Sequence, residues 1–177
     1  MKILIIGSPG SGKSVLTRRL KSVLEYPVLH LDRIYHTGTG KMHITREELV
    51  DKINAFSDSH ENWIIDGNYI GTLEMRVNLA DTVVILDMPP ELCLSNACKR
   101  AEESKTGGEN REDMAQGFDE TLTEDFLDFI RHFRRDTLPG ISKVLSNYPS
   151  KKIKFLRNYE EVEAFTNSVQ FNTNILE

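Results

Sequence analysis

Gly7 to Ser14 reads GSPGSGKS: three glycines, three serines and a lysine within eight residues. The stretch fits G-x-x-x-x-G-K-[ST], follows a strand-like apolar run and opens a helix-like pattern. Glycines let such a loop curl until successive backbone N–H groups point inward. Those donors, with the N-terminus of the next helix, suit an anion such as the phosphates of a nucleotide. Lys13 would reach the β- and γ-phosphates, and the Ser14 hydroxyl would ligate Mg²⁺. Gly7, Ser8, Pro9, Gly10, Ser11, Gly12, Lys13, Ser14 and Val15 are therefore the expected nucleotide-binding residues. A glycine-rich turn before an ordinary helix is the competing explanation, and pattern and context together weigh against it.

Three acids follow apolar runs: Asp32 in HLDRIY, Asp66 in IIDGNY and Asp87 in VILDMP. In an open α/β sheet, ligands bind beyond the carboxyl ends of the strands. The phosphate loop leaves its own strand at that edge, so all three acids can approach phosphates and metal. Phosphoryl transfer needs an acid to hold Mg²⁺, usually through water, beside the phosphate-loop strand. A hydroxyl acceptor also needs a group that orients or deprotonates it. Asp66 is assigned the metal side, with Ser14, and Asp32 the acceptor side. Asp87 also fits an acid after an apolar run, although aspartate is common in strand-end turns and caps.

Charge that develops on a transferring phosphoryl group can be met by arginines carried on a lid. Residues 104–118 (SKTGGENREDMAQGF) are polar, glycine-rich and without period. A loop of that length inside a compact domain is usually functional or disordered. Arg100 precedes it, Arg111 lies within it, and Arg131, Arg134 and Arg135 follow. Arg100, Arg111, Arg134 and Arg135 are thus candidates for phosphate contact, against the alternative of a solvated basic helix face.

The elements that must position these groups alternate. Strands are expected at Lys2–Ile6, Val28–Leu31, Asn62–Ile65, Asp81–Leu86 and Lys152–Leu156. Helices are expected over 13–24, about 46–57, 72–80, about 90–103, from Leu122 through Phe133, about 138–147 and 159–168. Thr45 and Glu48 form a possible capping box. The alternation implies an α/β fold, a parallel sheet covered on both faces. The 177 residues are expected to form one domain.

With 39% hydrophobic and 28% charged residues, the composition is that of a soluble globular protein. No apolar run reaches 18 residues, so no membrane span is expected. Cys93 and Cys98 suit neither a disulfide nor a zinc knuckle, and the expectation is a cytoplasmic protein with reduced thiols. The five histidines show no metal-ligand spacing. A net charge of −5 argues against a broad DNA-binding face.

GSPGSGKS, HLD, WIIDGNY and ADTVVILDMP followed by LCLSNACKR resemble the adenylate-kinase-related P-loop kinases. With R-x-D-M-x-x-G at Arg111, Asp113, Met114 and Gly117, they most resemble the bacterial topology modulation proteins, over residues 1 to about 165. The resemblance implies a three-layer fold around a five-stranded parallel sheet of order 2-3-1-4-5. It implies an acceptor-binding region over about 33–60 and a lid over about 101–118. Strand 3 would then adjoin strand 1, which favours Asp66 over Asp87 for the metal, and Arg100 would match a lid-base arginine. The chain departs from adenylate kinases after Asp66-Gly67, where the next arginine is only Arg76, and at Asn96, where they commonly carry arginine. The expected activity is transfer of the γ-phosphoryl group of Mg·ATP to a nucleotide, nucleoside or other small molecule. The alternatives are a nucleotide-dependent regulatory or DNA-associated protein, and a GTPase switch, for which no N/T-K-x-D motif occurs.

Overall fold

The computed structural model describes residues 1–36, 43–105 and 122–174. Five strands form one parallel sheet: β1 (Lys2–Gly7), β2 (Val28–His30), β3 (Trp63–Asp66), β4 (Thr82–Leu86) and β5 (Lys152–Leu156). Their order is β2-β3-β1-β4-β5, as the family resemblance implied. The central strands β3 and β4 are buried throughout, and β1 beyond Lys2, which is why they read as continuous apolar runs. Edge strand β5 alternates exposed and half-buried residues up to the buried Leu156.

Alternate side chains of each strand serve opposite faces. Leu4, Ile6, Trp63, Ile65, Val83 and Ile85 pack on one side against α3 (Arg46–Ser59), α4 (Leu73–Leu79) and α7 (Leu138–Ser146). Ile3, Ile5, Ile64, Val84 and Leu86 pack on the other. There they meet α1 (Lys13–Leu24), α5 (Pro90–Lys105), α6 (Glu124–His132) and α8 (Tyr159–Asn174). The result is the expected three layers.

Local signals fix several boundaries. Gly12 caps α1 in the left-handed region, and the Thr45–Glu48 capping box is present at the start of α3. Other boundaries differ from expectation. Strand β2 ends at His30, because Leu31 already begins the short helix α2 (Leu31–Tyr35). A 3₁₀ turn, Ile70–Thr72, precedes α4, and a π-helical turn, Phe133–Thr137, joins α6 to α7. Helix α5 runs through 104 and 105, α6 starts at Glu124, where Thr123 caps Phe126 N, and α8 extends past 168 to Asn174. Most of the expected lid, with Arg111, Asp113, Met114 and Gly117, and positions 37–42 of the acceptor-binding region lie outside the described residues.

The register brings the site together. Asp66 pairs with Ile5 of β1 and with His30 of β2, while Gly7 pairs with Leu86 of β4. Four carboxyl-terminal strand ends therefore lie along one edge.

Candidate active site

The loop from Gly7 to Ser14 owes its shape to glycines, each for a different reason. Gly10 has φ +75°, and a Cβ there would meet Cys93 O at 2.1 Å. Gly12 has φ +92°, a left-handed conformation open to solvent space. A Cβ on Gly7 would fall 2.8 Å from Leu86 O, so loop and β4 backbone touch. The curl is closed by Ser11 N, which donates to Ser8 O at 3.1 Å.

Lys13 crosses the loop, its Nζ donating to Gly7 O and Ser8 O at 2.9 Å each. Burial holds its pKa below the ordinary lysine value; Asp32 and Asp66 oppose that shift, and Arg100 adds to it. Ser11 Oγ is buried and, among the described residues, has no hydrogen-bond partner. A buried orphan hydroxyl calls for an explanation, and an oxyanion held in the curl supplies one. These features fit nucleotide phosphates.

Beside the loop opens a cleft of about 560 Å³. Residues 10–16 line one side, Asn96, Lys99 and Arg100 of α5 another, and Tyr159 and Val162 of α8 a third. Asn96 Nδ2 donates to Gly10 O at 2.9 Å and to the Tyr159 hydroxyl at 3.3 Å, tying the loop to both helices. Val15 is half exposed at the cleft wall.

Asp66 closes β3, only 5% exposed. Its Oδ2 accepts from Thr17 Oγ1 and its Oδ1 bonds with His30 Nδ1, each at 2.9 Å. Neither Thr17 nor His30 was singled out by the sequence. Thr17 could have been, since it lies one turn after Lys13 on the same helix face. Among the described residues, no group of three or more His, Cys, Asp or Glu could enclose a metal ion. A Mg²⁺ would instead be shared by the Ser14 hydroxyl, phosphate oxygens and water. Asp66, with a hydrogen bond on each oxygen, suits holding that water.

Asp32 lies in α2 rather than at a strand end. Its Oδ1 accepts from the Tyr69 hydroxyl at 2.9 Å. Burial and the Asp32 charge push the Tyr69 pKa well up, so the phenol remains a donor. The loop carrying Tyr69 is built around Arg76, which is completely buried. Arg76 donates to Thr72 Oγ1 at 3.1 Å, Gly67 O at 2.8 Å and Tyr69 O at 2.6 Å. Its pKa is pushed down to about 10 by burial.

The candidate arginines separate. Arg100 borders the cleft, together with Arg18 and Arg19, which the sequence reading did not include. Arg134, on the π-helical turn, donates from Nε to Asp87 Oδ1 at 2.6 Å and from Nη2 to Asp87 O at 2.7 Å. Arg157 Nε lies 3.7 Å from the other Asp87 oxygen. Asp87 is thus the anchor of an ion-pair cluster. Arg135 forks onto its neighbour Asp136 at 2.7 and 2.8 Å and is largely exposed. It does not line the cleft. Arg131 pairs with Glu124 and Asp128.

No protein-family model and no curated protein sequence matches the chain. Solved structures do. A deoxyadenosine kinase from M. mycoides with bound dATP is 16% identical with a TM-score of 0.57, over 96% of this chain and 99% of that one. A shikimate kinase from Acinetobacter baumannii in complex with shikimate is 17% identical with a TM-score of 0.57, over 99% of this chain and 95% of that one. A shikimate kinase from Aquifex aeolicus is 18% identical with a TM-score of 0.54, over 98% of each chain. The chain therefore has the α/β fold of these kinases, with a five-stranded parallel sheet of order β2-β3-β1-β4-β5.

Proposed function

We propose that this protein is a P-loop kinase that moves the γ-phosphoryl group of Mg·ATP to a small-molecule acceptor, a nucleotide, nucleoside or similar compound. One arrangement carries the reading: Asp66 ends β3 beside β1, Asp32 lies just beyond β2 at the start of α2, and Lys13 follows the loop that leaves β1, so two carboxylates and the lysine lie at one sheet edge. In this reading Asp66 is the metal-side acid, Asp32 the acceptor-side acid and Lys13 the phosphate-reaching lysine. An ATP-binding switch would need the first and third of these, whereas a phosphotransferase needs all three.

In this reading Gly7 to Val15 hold the phosphates. Lys13 and Arg100 meet the charge on the transferring group, and Ser14 with Asp66 serve the metal. Bound Mg²⁺ would supply further charge neutralisation between the phosphates. Asp32 takes the acceptor side, and Arg111 and Arg134 are further candidates for phosphate contact, with a lid expected over about 101–118. Arg135 has the weakest support, given its bond to Asp136. The solved neighbours, a deoxyadenosine kinase and a shikimate kinase holding shikimate, support a small-molecule acceptor. The HLD, WIIDGNY and R-x-D-M-x-x-G motifs support a place among the topology modulation proteins, in one kinase-like domain over 1–177. No described helix is long and apolar enough to cross a membrane, and a cytoplasmic site of action fits the thiol content. The test is a panel of nucleoside monophosphates, nucleosides and sugars with Mg·ATP. ADP release at least about tenfold above the acceptor-free rate is expected for one class. A rate that no acceptor changes would remove the kinase reading.

A further inference from the structure

Asp32 and its surroundings narrow the acceptor, on the kinase reading just given. Four rings gather beside this carboxylate. Tyr35 and His43 stack at 4.7 Å with 14° between their planes. Tyr69 sits 4.6 Å from Tyr35, and His36 sits 4.9 Å from His43. A bridge between His36 and His43 brings the latter back beside α2. His43 is exposed, while Tyr35, His36 and Tyr69 are half-buried, so the stack presents an aromatic face to solvent.

Asp32 brings a carboxylate to this face, and two arginines of the surrounding elements are turned to backbone oxygens. Arg76 spends all three guanidinium nitrogens on Thr72, Gly67 and Tyr69 and is wholly buried. Arg46 gives its Nε to Gly71 O at 2.8 Å. The structure thus uses Arg76 to set the loop, the loop to set Tyr69, and Tyr69 to set Asp32 Oδ1. Among the described residues, Asp32 Oδ2 carries no hydrogen bond.

A phosphate acceptor is already largely ionised near neutral pH, with its second pKa near ~6. It needs cations and no base, and a fixed carboxylate repels it. A hydroxyl acceptor is the opposite case: it must lose a proton as it attacks, and a positioned carboxylate accelerates that step.

We propose that the acceptor is an uncharged nucleoside, its planar base on the Tyr35–His43 face and its hydroxyl at Asp32. The hydroxyl oxygen attacks the γ-phosphorus of the nucleoside triphosphate and forms the new O–P bond. The bond from that phosphorus to the β,γ-bridging oxygen breaks, and its electron pair leaves with the nucleoside diphosphate. The hydroxyl proton passes to Asp32 Oδ2.

The experiment compares the four common ribonucleosides and their deoxy forms with the corresponding 5′-monophosphates and with shikimate, an anionic hydroxy acid, each with Mg·ATP. Expected are a tenfold or greater rise in ADP release with at least one nucleoside, a nucleoside monophosphate product by mass, and less than a twofold rise with any anion. Tyr35→Ala should raise the nucleoside KM tenfold or more while the ATP KM changes less than twofold, and Tyr35→Phe should restore it. A second readout, calorimetric binding of the nucleoside without ATP, should follow the same order. Stimulation by a monophosphate or by shikimate instead would overturn the inference and leave the kinase reading standing. Stimulation by nothing in the set, with no nucleoside binding, would overturn the nucleoside assignment, and loss of Lys13-dependent ATP turnover as well would remove the kinase reading.

Discussion

The Tyr69 hydroxyl donates to Asp32 Oδ1 at 2.9 Å, joining the β3–α4 loop to α2 across 37 positions of sequence. The bond fixes one oxygen of Asp32, the proposed acceptor-side acid. Tyr69→Phe keeps the ring among Tyr35 and its neighbours and removes only this donor. Phosphoryl transfer is expected to fall about tenfold, with ATP affinity within about twofold. Loss of the bond should cost about 1–2 kcal/mol in urea unfolding. The pH dependence has a definite sign. The folded state holds the phenol proton above the ordinary value of 10, so the unfolded state alone releases it there. Wild type should lose stability above about pH 10, and the phenylalanine variant should lose less. Parallel curves for the two proteins in that range would contradict a protonated, buried Tyr69.

Gly10 and Gly12 both occupy positive φ, but for different surroundings. Alanine at Gly10 meets the Cys93 carbonyl at 2.1 Å as well as backbone strain, whereas alanine at Gly12 meets only the strain. Gly12→Ala should therefore cost about 1–2 kcal/mol, and Gly10→Ala more than about 3 kcal/mol or failure to fold. Urea midpoints compare them directly. Equal losses would mean that the loop does not press on α5 as described.

What could be read from the sequence follows the range of the forces involved. The glycine-rich turn of residues 7–12, the start of α1 at Lys13 and the Thr45–Glu48 capping box are local, and each was legible in a few residues. So was β5, by its β-branched and aromatic content between polar turns. The contacts that finish the site are not local. Thr17 and His30 meet Asp66 only because β1, β2 and β3 share one register. Arg76 reads as an ordinary helix cation, and only the folded loop shows it bonded to three acceptors in the interior. The π-helical turn that aims Arg134 at Asp87 has no composition signal of its own.

Arg134 and Arg135 are adjacent in sequence and unlike in environment. Arg134 holds a mostly buried Asp87, 12% exposed, by two bonds, and Arg135 holds an exposed neighbour. Arg134→Ala should destabilise by about 1–3 kcal/mol, because it leaves Asp87 partly desolvated with only the distant Arg157. Arg135→Ala should stay within about 0.5 kcal/mol. If chemical denaturation gave the two variants the same midpoint, the Asp87 cluster would not be a structural anchor.

Lys13 separates catalytic from structural contributions. Its removal leaves the φ angles of the loop to Gly10 and Gly12, so the fold should persist. On the proposed function, ATP-dependent transfer should drop by at least about 100-fold, since Lys13 is the lysine that residues 7–14 supply. Full activity in Lys13→Ala would sink the site assignment. Its stability should lie within about 1 kcal/mol of wild type at pH 7. There the two hydrogen bonds to Gly7 O and Ser8 O are offset by the cost of burying the cation. Because burial lowers the folded pKa, the unfolded chain binds the lysine proton more tightly. Wild type should therefore gain stability relative to Lys13→Ala as pH rises toward the ordinary lysine value of 10.5, and lose that gain as pH falls through the folded value. Paired urea titrations across that range measure the slope, and a slope of opposite sign would mean that Lys13 is held by its carboxylates more strongly than burial opposes it.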